Sequence, residues 1–112
     1  MSKIYKIESL LSDDIYYGCT SKKYLSERMT YYRYEYKKYL LCKSDDEKYN
    51  HYRDMKIEYG HESLLELFKL FDTYNIKNFK INLIIEFPSK SKDYMKSKLF
   101  DCVKIIIIVL IN

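Results

Sequence analysis

Hydrophobic and polar positions follow two different periods along this chain, and each change of period predicts a change of element. Ile4 to Ile7 and Ile15 to Cys19 are short runs of β-branched and aromatic residues, separated by a polar stretch holding Ser12, Asp13 and Asp14. They predict two strands joined as a hairpin through a loop of several residues. From about Lys22 the spacing lengthens. Leu25, Met29, Tyr32, Tyr36 and Leu40 recur at steps of four, three, four and four, the stripe of a helix that packs on the sheet. Residues 42 to 60 lose both periods and carry Asp45, Asp46, Glu47, Asn50 and Asp54, the composition of an insertion or mobile loop with room for one short helix.

Order resumes at Ser63-Leu64-Leu65-Glu66, where serine and glutamate stand at capping-box spacing ahead of the apolar face Leu64, Leu67, Phe68 and Phe71. Asn75 marks the end of that helix. Phe79, Ile81, Leu83, Ile85 and Phe87 then alternate with Lys80, Asn82 and Glu86, the period of a strand with one buried face, and Pro88 and Ser89 stop it. A last helix over about Lys92 to Val103 leads into an apolar tail, 104 to 112, in which Ile105 to Ile111 are consecutively apolar. The elements predict an α+β fold: a small three-stranded antiparallel sheet flanked by helices in the order β-β-α-α-β-α, one domain over 1–103 followed by the tail.

Composition adds bounds rather than chemistry. A chain of 112 residues has room for one core. Its 47% hydrophobic and 32% charged residues fit a globular domain and exclude a disordered tail. Two glycines and one proline leave few obligatory turns, so long helices are expected. Twenty basic against 16 acidic residues give +4, which permits a polyanion partner and equally suits a merely soluble surface. Cys19, Cys42 and Cys102 are scattered and odd in number, a pattern of neither zinc ligands nor disulfides, and His51 and His61 lack the spacing to join them. With no apolar signal segment after Met1, the expected location is intracellular, not secreted. The apolar tail is shorter than the roughly 20 residues that cross a bilayer, so no membrane is expected; a buried strand, self-association or cross-β stacking are the roles open to it.

Candidate chemistry lies at the front of the chain. Lys3-Ile4-Tyr5 is followed eleven residues after its tyrosine by Tyr16-Tyr17-Gly18, and Leu25 to Arg28 completes a Leu-x-x-Arg pattern on the first helix. This combination resembles the GIY-YIG endonuclease signature, with Lys3 standing where the first glycine would be. Residues 67 to 87 are also similar to stand-alone GIY-YIG domains of large DNA viruses, and the Lys, Tyr, Ile and Asn-rich composition fits an AT-rich genome. The resemblance implies metal-dependent hydrolysis of DNA phosphodiesters. That reaction needs a base for the attacking water, a cation for the phosphate and, as a rule, a divalent ion. By the family pattern Tyr5 and Tyr16 serve or assist the base, Arg28 holds the phosphate through its planar fork, and Tyr32 stands one turn further along the same helix face. Gly18, Lys22, Lys23 and Arg33 are the candidate substrate-binding positions.

Each assignment has a plainer competitor. Among 14 tyrosines most pack, and Tyr32 also lies on the apolar stripe; Arg28 has Glu27 and Glu35 within helical reach. Magnesium is the cofactor the resemblance implies, but the glutamate that would ligate it falls on Leu99, and Asp101 is turned about 200° away on the helix. Together with the isoleucine run, this reads as out-of-frame sequence from Leu99 onward. The function expected is therefore a GIY-YIG-type DNA endonuclease domain with impaired catalysis; the alternative is a noncatalytic DNA-binding or protein-interaction module.

Overall fold

Alternation in the first nine residues builds the centre of the sheet. The computed structural model describes residues 1–60, 62–88 and 91–111, with side chains as far as Ile107. Strand β1 (Ser2–Ser9) lies between β2 (Ser12–Thr20) and β3 (Phe79–Phe87), and both pairings are antiparallel. Helices α1 (Leu25–Leu40), α2 (Asp45–Tyr52), α3 (Leu64–Tyr74) and α4 (Lys92–Ile111) complete the expected α+β order, with one 3₁₀ turn, Ile76–Asn78, ahead of β3. Because successive residues of a strand point to opposite faces, Tyr5 and Ile7 meet α1 and α3, while Ile4 meets α4 on the other side.

Five local expectations change. Ser12, Asp13 and Asp14 belong to β2, and the connection is Leu10-Leu11 alone. Serine hydroxyls make the tight turn possible: Ser9 Oγ accepts from Leu11 N at 3.1 Å and Ser12 Oγ from Asp14 N at 3.1 Å. On α1, Tyr39 is buried and Leu40 is 53% exposed. The phenols of Tyr36 and Tyr39 each donate to one oxygen of Asp72, at 2.7 and 2.8 Å, which turns position 39 rather than 40 toward α3.

Residues 42–60 are a working part of the core. Ser44 caps α2 by accepting from Glu47 N, and Tyr52 and Ile57 are fully buried. The chain then turns back on itself. Ile57 N donates to Glu62 O, Leu64 N to Met55 O, and Cys19 N of β2 to Glu58 O, so this segment covers the outer edge of β2.

In β3 the five alternating apolar residues do not share one face. Ile4 pairs with Ile85 but Tyr5 with Leu83, so Ile84 is an extra residue in the ladder. Phe79 and Ile81 therefore face α1 and α3, Ile84 and Phe87 face α4, and Leu83 and Ile85 are left exposed at the crossover. The tail is the continuation of α4 to Ile111, since no glycine or proline interrupts it. Among the described residues no helix is long and apolar enough to cross a membrane.

Candidate functional site

Three elements bring the motif residues together. Tyr5 stands on the central strand directly opposite Gly18, and any Cβ at position 18 would collide with Tyr5 Cζ and Oη. The glycine is thus required by the tyrosine ring lying across it. Tyr5 Oη meets Tyr32 Oη at 2.6 Å, a hydrogen bond in which either phenol donates, and both side chains are fully buried. One turn before Tyr32 on α1, Arg28 sets its guanidinium carbon 4.5 Å from the centre of the Tyr31 ring and 5.2 Å from that of Tyr32.

The fourth member of this cluster is Glu58. Its Oε1 lies 3.1 Å from Arg28 Nε. The two atoms form an ion pair without the geometry of a hydrogen bond, and both are buried with no other hydrogen-bond partner. Sequence reading assigned nothing to this residue. The available signal was the alternation of Met55, Ile57 and Tyr59 with Lys56 and Glu58, a short extended pattern inside a stretch dominated by acidic residues.

Electrostatics decide what these groups can do. Burial, reinforced by Tyr32, drives the Tyr5 phenol far above its ordinary value, and the nearby Arg28 charge does not offset this. Burial, with Glu66, Asp14 and Glu62 nearby, pushes Tyr16 up to about 12. Both shifts favour the neutral, protonated phenol. Burial alone would lower the pKa of Arg28, but Tyr32, Tyr5 and Glu58 outweigh it and hold the guanidinium firmly protonated. The Glu58 carboxyl is raised by burial, against the opposing pull of Arg28, Thr20 and Lys22.

Other predicted residues are distributed unevenly. Tyr16 shares the face of Tyr5 and Gly18 and packs at the edge of the core. Lys22 is exposed but near Glu58, whereas Lys23 lies 5.3 Å over the Tyr24 ring and Arg33 is exposed about 140° around α1 from Arg28. Leu99 lies on the α4 face of the sheet, packed with Ile4, Cys19, Phe87 and Met95, and does not join the cluster around Tyr5. Among the described residues no three of His, Cys, Asp and Glu converge as a metal-holding group. The site is a protonated guanidinium packed beside two aromatic rings, with a carboxylate at its Nε. No family model, no curated protein and no solved structure matches the chain.

Proposed function

We propose that this chain is a GIY-YIG-type nuclease domain that retains a DNA-phosphate site at Arg28 and is impaired in hydrolysis. The observation that carries this reading is the packing of three motif positions, Tyr5, Gly18 and Arg28, with Tyr32 into one cluster. A planar guanidinium held against tyrosine rings suits a phosphodiester oxygen pair, and Lys22 adds positive charge beside it. The impairment is supported by burial that favours the protonated form of both motif tyrosines and by leucine at position 99, where the resemblance places the acidic metal ligand.

The test incubates the protein with supercoiled plasmid and magnesium at low salt, beside Arg28→Ala and Tyr16→Phe. The expected result is salt-sensitive binding with little or no nicking, and a salt slope reduced by about 0.9 in Arg28→Ala, the contribution of one phosphate contact. Nicking abolished in both variants would make the site a working nuclease. Absence of binding even at low salt would sink the reading. A second reading, a protein-interaction module, draws support from α4, where Phe100, Ile105 and Ile107 are exposed. Sedimentation of the protein before and after Ile105→Lys distinguishes it.

A further inference from the structure

Arg28 is not offered freely to a ligand. Its side chain is only 13% exposed, and the group against it is a carboxylate, the one side-chain anion whose oxygens resemble those of a phosphate. We infer that Glu58 is an internal stand-in for the phosphate: it occupies Arg28 in the free protein, and a nucleic-acid phosphate engages that arginine only by displacing it. This autoinhibitory contact rests on the reading of Arg28 as a phosphate site.

Three features support a displaceable contact over a permanent structural one. The 3.1 Å approach of Nε to Oε1 leaves both buried atoms without a hydrogen bond, whereas an arginine fork satisfied by a phosphate makes two parallel bonds. The cation packs beside both the Tyr31 and Tyr32 rings, which favours movement of the carboxylate over movement of the guanidinium. Release does not require the loop to move. Glu58 O accepts from Cys19 N and Ile57 N donates to Glu62 O, fastening the backbone on both sides, so a rotation of the Glu58 side chain suffices. Thr20 and Lys22 already interact with that carboxylate and give it somewhere to go.

The experiment compares wild type, Glu58→Gln, Arg28→Ala and the double variant. Glutamine keeps the size of the side chain and leaves the backbone bond to Cys19 intact. Inorganic phosphate is titrated while the Arg28 Nε–H resonance is followed, and a labelled DNA duplex is titrated by fluorescence anisotropy. Glu58→Gln is expected to tighten both by roughly tenfold, because the binding-competent fraction no longer has to be released from an internal competitor. The gain in DNA affinity vanishes when Arg28 is alanine. Should Glu58→Gln fail to fold, Glu58→Asp, whose shorter carboxylate cannot reach Nε, is expected to give the same gain. Unchanged phosphate and DNA affinities in a folded variant overturn the inference, while weaker DNA binding in Arg28→Ala would leave the DNA reading standing. Tighter phosphate without tighter DNA binding would keep the internal competitor and remove the nucleic-acid reading.

Discussion

The two faces of the sheet are built to different standards. Toward α1 and α3, Tyr5, Ile7, Phe79 and ten further buried side chains from α1, α2, α3 and Ile57 form one continuous aromatic core, with Phe68 in ring contact with Tyr36, Tyr39, Tyr52 and Phe71. Toward α4, among the described residues, the buried hydrophobic cluster is the smaller set Ile4, Cys19, Phe87, Met95 and Leu99. A cavity of about 410 Å³ opens there between α4 and the residues Tyr17, Tyr59 and Gly60. The motif residues Tyr5, Gly18, Arg28 and Tyr32 all belong to the first face. Dense packing holds a polar cluster in one geometry, and among the described residues the thin face across the sheet shows no such cluster.

The contrast breaks most visibly under truncation. Phe68→Ala removes the ring at the centre of the dense face and should cost about 4 kcal/mol in urea unfolding, whereas Leu99→Ala should cost about 2 kcal/mol, because its neighbours already border open space. Equal losses would mean that the faces are equally packed. Tyr5→Phe comes next. It leaves the buried Tyr32 hydroxyl without this hydrogen bond, an expected loss of about 1.5 kcal/mol, and the Tyr5→Phe/Tyr32→Phe double variant should lose less than the sum of the single variants.

The gentlest probe is alkaline pH. Burial first, then nearby acids, pushes Tyr16 and Tyr52 up to about 12 from an ordinary 10.0, and burial with Asp72 moves Tyr36 and Tyr39 further in the same direction. Between those values the unfolded chain ionises first. The contribution to stability is therefore complete below pH 10 and declines as pH rises toward 12 and beyond. Unfolding free energies measured at about pH 9 and about pH 11 should fall together with the onset of tyrosinate absorbance, and the fall should shrink in Tyr16→Phe. A flat profile would place these phenols in water.

How far the site was legible depended on how local its cause was. Tyr5, Tyr16, Gly18 and Arg28 could be found because a hairpin and the helix after it keep them at short, fixed spacings. The ring of Tyr5 over Gly18 then explains the glycine in physical terms. Glu58 was not found, because its role comes from the backbone of residues 57 and 58 fastening to β2 and the next turn, across almost 40 residues of chain. Tyr39 displaced Leu40 for a similar reason: the acceptor that selects it, Asp72, sits on a different helix.

Periodicity and punctuation determined the element order and the cap at Ser63, since each follows from side-chain direction and hydrogen bonding within a few residues. Tertiary structure alone decided which face each end of β3 presents, through the extra residue at Ile84; that Leu99 packs across the sheet from Tyr5; and that Arg28 meets a carboxylate. Those outcomes depend on register and on pairing between distant segments, where one residue of slip exchanges the two faces and no local pattern records the choice.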